Sequence, residues 1–385
     1  MFENLLHQDS IVSRLKHDVE NHAVPPAMLF TGSPMSGKLT AALELARILS
    51  CDKAGAWNCP CDHCRSHRAL AHTDTVLAGN RNLMPEIAAA AELLRRDKSD
   101  TSRFLLLRSA RKLIRRFDPM LWEGDENKLK QARPVMERLA ASVDLLLPGR
   151  ELPDEDMFDT VVDDCAVIQN SLPAILPVSQ VRHITMWAVY SARRDHKTVI
   201  LDAADRMPEG SKNALLKFLE EPPPDTTVIL ITDRKSMLPP TIISRLREYA
   251  FRIRRPLEEA EVLRRVFRED MGRWGTLAEY FQAWRSTPSE RMRETAHEFL
   301  THAAQGEPFM PKEAAEIKNQ QDFVVFLEAL SGEFRKSWIE NEDSDHQRAS
   351  REMAWLRDAR LRAESLNLPV PMILRSLYIS LGMRR

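Results

Sequence analysis

A chain of 385 residues is too long for one ordinary domain, and two or three are expected. Its 43% hydrophobic and 29% charged content supplies enough apolar side chains for real cores, and no stretch approaches the roughly 20 apolar residues of a membrane span. A net charge of −1 excludes a global pull toward nucleic acid, so any such contact needs a local basic surface.

The start, Met1-Phe2-Glu3-Asn4, lacks the basic head and apolar run of a secretory signal, so a cytoplasmic, reducing compartment is expected. Next, Ile11, Leu15 and Val19 mark one face of a helix, and Ala27 to Phe30 reads as a short buried strand. Gly32-Ser33-Pro34-Met35-Ser36-Gly37-Lys38 then fits G-x-x-x-x-G-K, ahead of a helix through Leu43, Leu45, Ala46 and Leu49. Glycines in such a loop let N–H groups curl around phosphate, and Lys38 would reach the β- and γ-phosphates of ATP. The following position should carry a hydroxyl for Mg²⁺, but it is Leu39. Thr40 comes one residue later, about 100° round the helix axis.

Cys51, Cys59, Cys61 and Cys64 follow within fourteen residues. In a reducing compartment this spacing reads as metal ligation, with four thiolates closing a structural Zn²⁺ site that has no open position for a substrate. Cys59-x-Cys61 is short for a ligand pair, and His63 or His67 stands as an alternative ligand. Cys165, farther on, is expected to be a partly buried thiol.

The stretch from about 83 to 173 is helical in pattern. Its front, Arg95 to Arg116, carries nine basic and two acidic side chains, and its back, Asp144 to Asp164, is strongly acidic. Two readings stand: an inserted helical subdomain whose opposite charges meet each other or solvent, or a nucleic-acid-facing patch of Arg108, Arg111, Lys112, Arg115 and Arg116. Two more buried strands follow, Thr198 to Asp202 and Thr227 to Thr232, with a helix from Ser211 to Glu221 between them, stopped by Pro222-Pro223-Pro224. Alternating strands and helices imply a parallel sheet covered on both faces. Asp202 ends its strand where a Mg²⁺-holding carboxylate would sit. Asp205 is expected to turn away from that site. Beyond about Arg254 the chain reads as amphipathic helices, with breaks near Pro308 to Pro311 and Glu340 to Asp345.

Asn213-Ala214-Leu215-Leu216-Lys217-Phe218-Leu219-Glu220-Glu221-Pro222-Pro223, preceded by Asp205-Arg206-Met207, resembles a block of the bacterial clamp-loader family, the DNA polymerase III gamma/tau and delta-prime subunits. Ile231-Thr232-Asp233 resembles the family's sensor-1 segment, with Thr232 in the sensor position. Ser244-Arg245-Leu246 resembles its Ser-Arg-Cys motif, departing at Leu246. The cysteine cluster falls where the family's zinc knuckle falls, and His72-Thr73-Asp74 and Val178 to Arg182 are similar to further landmarks. The resemblance covers about 1–80 and 174–255.

It implies an AAA+ domain over 1–252, with a zinc module at 51–67 and the insertion at about 83–173, then a helical lid over 253–307 and a helical collar over 308–385. In the family a Glu after the strand carboxylate orients the attacking water, and Ala203 stands there instead. A damaged phosphate loop with an intact Ser-Arg motif is the delta-prime combination. It implies a subunit that does not hydrolyse ATP, whose Arg245 serves as an arginine finger for a neighbour. The implied partners are gamma/tau- and delta-type subunits in a hetero-pentamer, the sliding clamp and primed DNA. Whether ATP and Mg²⁺ are held by Gly32, Gly37, Lys38, Thr40, Asp202 and Thr232 stays open. The competing readings are an active gamma/tau-type ATPase and a zinc-bearing nucleic-acid adaptor.

Overall fold

The structure, a computed structural model, describes residues 1–124, 126–173, 175–190, 196–269, 274–284, 289–306, 317, 320–340, 346–364 and 368–382. The break expected at 308–311 lies outside them, as does all but Glu340 of that expected at Glu340 to Asp345, and Glu340 ends a helix. The chain forms two compact units, Met1–Phe281 and Gln282–Arg385.

In the first unit, α1 (Asp9–Glu20) leads to β1 (Ala27–Thr31), α2 (Lys38–Leu49), α3 (Asp62–Arg68) and β2 (Thr75–Gly79). Four helices follow: α4 (Met84–Asp97), α5 (Asp100–Ile114), α6 (Glu126–Leu145) and α7 (Glu155–Ser171). Then come α8 (Val178–Val189), β3 (Lys197–Asp202), α9 (Glu209–Glu220), β4 (Thr226–Thr232), α10 (Pro240–Ile243) and β5 (Arg247–Ala250), with α11 (Pro256–Val262) and α12 (Leu277–Ala283) beyond. Local chemistry sets several boundaries. Ser99 and Ser102 close a reciprocal cap on α5, and α9 stops short of Pro222.

The five strands form one parallel sheet in the order β2-β3-β4-β1-β5. Alternate strand residues divide between two cores. Leu29, Val76, Val199, Leu201, Val228 and Leu230 pack under the inserted helices, α8 and α9. Met28, Phe30, Leu77, Ile200, Ile229 and Ile231 pack under α1 and α2. A parallel sheet buried on both faces is thus what forms.

The insertion is helical, and its opposite charges meet. Arg95 pairs with Asp159, Lys98 with Glu155 at 2.8 Å, Arg111 with Asp144 at 2.5 Å, and Arg138 with Asp164. The second unit holds α13 (Ser289–Gln305), α14 (Gln320–Glu340), α15 (His346–Glu364) and α16 (Val370–Gly382) around its own core. There Phe299 meets Phe326 and Tyr378 edge to face, each with ring centroids 5.0 Å apart. Among the described residues no helix is long and apolar enough to cross a membrane.

Candidate functional site

The strand order places the carboxyl ends of β3, β4 and β1 side by side, and the loop 32–37 leaves β1 there. A Cβ at Gly32 would stand 2.5 Å from the Phe251 carbonyl oxygen, so only glycine fits that approach. Gly37 precedes α2 with φ 96°. Lys38 is buried, and its ammonium turns back on the loop. It donates to the carbonyls of Gly32 (2.8 Å) and Ser33 (2.5 Å) and to Ser36 Oγ (3.1 Å), and pairs with Asp233 at 2.9 Å. From outside the loop, Arg254 donates to the Met35 carbonyl and Gln8 to that of Ser36. Four loop carbonyls therefore take side-chain donors of this same chain. Burial pulls the Lys38 ammonium below the ordinary lysine value, with Asp233 opposing. Leu39 is buried in the apolar core beneath α2, and Thr40 is half-buried beside it.

Asp202 ends β3 with a fully buried side chain. Arg81 grips it bidentately, Nε to Oδ2 and Nη2 to Oδ1, both at 2.8 Å. Arg116, from the insertion, donates to Oδ2 at 2.8 Å and also to the Gly79 carbonyl. The Ala203 amide donates to Oδ1 at 3.0 Å. Burial acts to raise the Asp202 carboxyl, but Arg81 and then Arg116 outweigh it and hold it well below the ordinary carboxylate range. The backbone that permits this is tight: Gly79 pairs with Asp202 across the sheet, and a Cβ there would stand 2.0 Å from the Asp202 carbonyl oxygen.

Thr232, ending β4, donates to Asp205 at 2.9 Å, and Arg234 completes that pair at 3.1 Å. Asp205 therefore does not turn away as expected, because the hydroxyl at the sensor position draws it in. Sequence reasoning passed over Arg81, placed Arg116 only in a nucleic-acid-facing patch, and gave Asp233 no role of its own beyond the sensor-1 segment. Arg81 stands two residues past β2, whose last residue Gly79 pairs with Asp202, so finding it needed the strand pairing.

The four cysteine sulfurs lie within 4.8 Å of one another, with Cys51 and Cys59 3.7 Å apart. A tetrahedral ion with thiolate bonds near 2.3 Å needs sulfurs about 3.8 Å apart, so the group is positioned to hold a metal ion despite the short Cys59-x-Cys61 step. Cys61 achieves this by capping α3, accepting from the Cys64 amide. Burial would raise the Cys61 thiol, but the amides of Cys64 and Asp52 and neighbouring thiols bring it to about 7. His63 and His67 are used elsewhere: His63 lies 3.1 Å from His72, and His67 stacks on His72 at 4.0 Å. Fully buried Arg47 donates to Cys64 Sγ (3.4 Å) and to the carbonyls of Gly55 and Ala56. Cys165 is fully buried, not partly, on the inner face of α7.

The basic run on α5 faces inward. Arg108 donates to the carbonyls of His67 and Arg68, Arg111 to that of Ala69, and Arg115 to those of His72 and Thr75, while Lys112 pairs with Glu86. Several of these carbonyls end α3, where a helix has no intrahelical N–H donors left for them and carries partial negative charge. The nucleic-acid-facing reading of this run is overturned by those bonds.

Arg245 lies elsewhere. It precedes β5 and pairs with Glu220, which ends α9 ahead of β4, with Nε at 2.8 Å. Both stand at the amino edge of the sheet, a strand's length of roughly 15 Å from the edge carrying Lys38 and Asp202. Leu246, at the departure from the Ser-Arg-Cys pattern, is buried in the core.

The family model described as DNA polymerase III, delta subunit matches residues 7–103 and 157–254, about half of the chain. The chain belongs to this family. Relatives named DNA polymerase III subunit delta-prime place it with the delta-prime type. That of Bacillus subtilis is 40% identical over 75 residues, 20% of this chain and 22% of the relative. Those of Pseudomonas aeruginosa and Haemophilus influenzae are 45% and 44% identical over 69 residues, each match taking 18% of this chain and 21% of the relative. The delta-prime-type chain thus matches only about a fifth of the length of these relatives. A solved structure of a DNA polymerase III gamma subunit-related protein from Thermotoga maritima is 20% identical, covers 55% of this chain and 81% of its own, and has a TM-score of 0.32. Residues 104–156 fall outside the family match.

Proposed function

We propose that this delta-prime-type subunit acts as a stator in a clamp loader, without hydrolysing ATP itself, and offers Arg245 to the ATP of a neighbouring subunit. One observation carries the reading: Arg245 and the chain's own phosphate loop stand at opposite edges of one sheet, so the guanidinium serves only a nucleotide held by another chain. Such a group at the γ-phosphate stabilises transition-state charge and is worth about 10³- to 10⁵-fold in rate. An active motor subunit would need Asp202 free for Mg²⁺, a hydroxyl at position 39 and a water-orienting Glu at 203. Here Asp202 is held by two guanidinium groups, and Leu39 and Ala203 lack the other two groups.

The cysteine cluster fits structural Zn²⁺, since four thiolates close the coordination shell and leave no reactive position. We assign the helices beyond Arg252 to a lid and a collar that joins gamma/tau- and delta-type subunits, with α13 on the collar side of the expected bound at 307 because it shares the core of α14, α15 and α16. The sliding clamp and primed DNA are the substrates of the assembly.

The test has two parts. Affinity capture of the full chain from native cells is expected to recover clamp and polymerase components. In the recovered assembly Arg245→Ala is expected to cut DNA-stimulated ATP turnover by about a hundredfold or more. Turnover by the purified chain alone, abolished by Asp202→Asn, would sink the reading.

A further inference from the structure

We infer that the insertion closes this chain's own nucleotide site from within, with the guanidinium groups of Arg116 and Arg81 standing where a divalent cation would be held. This rests on reading the loop 32–38 and Asp202 as a former nucleotide site, and goes beyond the missing hydroxyl and the missing Glu. Those two absences would leave Asp202 available. The geometry does not.

An ionised carboxylate offers about four acceptor positions. Asp202 receives four donors: Arg81 Nε, Arg81 Nη2, Arg116 Nη2 and the Ala203 amide, at 2.8 to 3.0 Å. Its side chain is fully shielded from solvent, and that of Arg116 is only 1% exposed. A cation entering here would face two guanidinium charges on one carboxylate and would have to displace bidentate, charge-assisted bonds. The other groups of the site are likewise paired, Lys38 with Asp233 and Arg234 with Asp205.

Arg116 is not there by the chance of one rotamer. The side chains before it, Arg108, Arg111 and Arg115, fasten the end of α5 to carbonyls of α3 and of the segment running into β2. After it, Phe117 stacks on Trp122 at 5.2 Å, and the Trp122 indole donates to the Arg116 carbonyl. These fasteners hold the guanidinium over Gly79 and Asp202. All of these fasteners, and Arg116 with them, lie in residues 108–122, outside the family match, whereas Arg81 lies within it.

The experiment uses the full chain with Mn²⁺ as probe, read by electron paramagnetic resonance in the presence of ADP. Wild type is expected to show no saturable Asp202-dependent site at millimolar Mn²⁺. Arg81→Met with Arg116→Met is expected to gain one site at least about tenfold tighter, lost again when Asp202→Asn is added. A folded double variant that binds no better than wild type would overturn the proposal, as would a wild-type site that Asp202→Asn removes.

Should the double variant not fold, hydrogen exchange of wild type decides. Mg²⁺–ATP is expected to leave exchange at Ala203 and over 108–116 unchanged. Faster exchange over 108–116 together with protection over 32–38 would mean that the arginines give way to nucleotide. Neither measurement involves Arg245 or another subunit, so this proposal and the stator reading can fail separately.

Discussion

Helix α2 buries a cation at each end, and the two are used in opposite ways. At its start, Lys38 bonds the carbonyls of Gly32 and Ser33 and pairs with Asp233, all parts of the site it would serve. Near its end, Arg47 bonds the carbonyls of Gly55 and Ala56 and the sulfur of Cys64, shaping a knuckle for something else to occupy. A motif can therefore keep its letters while its donors are turned inward. On the function proposed above, whether a site works depends on which acceptors its cations meet, and the cysteine knuckle meets that test where the phosphate loop does not.

The largest effect that sharpens this contrast should come from the knuckle. Removing the Zn²⁺ proposed for it with a chelator, or Cys64→Ser, is expected to lower the melting temperature by about 10 °C, because the segment 51–67 has little core of its own. Calorimetry with metal analysis checks this, and an unchanged melting temperature after full metal loss would break the contrast.

At the closed site, Asp202→Asn should destabilise the chain by about 3–5 kcal/mol, since it leaves two mostly buried guanidinium groups without their counter-charge. Urea unfolding measures it. A solvent-facing metal ligand would show almost no change.

A smaller effect depends on pH. Burial, aided by His72 and Arg47, holds the His67 imidazole down at about 2, against an ordinary value of 6.5. The folded chain keeps this ring neutral, while the unfolded chain takes up a proton below about pH 6.5. Stability present above that pH is therefore lost as the pH falls, by about 2 kcal/mol at pH 5. His67→Gln should flatten that part of the stability profile, and an unaltered slope would contradict the burial argument. Arg245→Ala should be the mildest of all, within about 0.5 kcal/mol of wild type, because its pair with Glu220 is solvent-exposed.

Much of the frame was legible in the residues. Strands β1, β3 and β4 and helix α9 form within two residues of the expected bounds, because their runs are unbroken and apolar or ended by proline. Strand β2, with Ala78 and Gly79, and strand β5, Arg247-Glu248-Tyr249-Ala250, were missed because neither is strongly apolar. The cysteine cluster was legible because its four ligands are close in sequence. The closure of Asp202 was not, because Arg81 and Arg116 come from 121 and 86 residues away. Arg108, Arg111 and Arg115 share one helix face, but spacing cannot tell a face turned to solvent from one turned to the carbonyls of another helix.

The central claim is that the cation of the chain's own loop is idle while the cation at its opposite edge serves a neighbour. ATP turnover of the assembled clamp loader, compared between Lys38→Met and Arg245→Ala, tests it most directly. Turnover near wild type in the first and a loss of about a hundredfold or more in the second is the predicted pattern. The reverse pattern, with Lys38→Met silencing turnover and Arg245→Ala leaving it intact, would contradict the account.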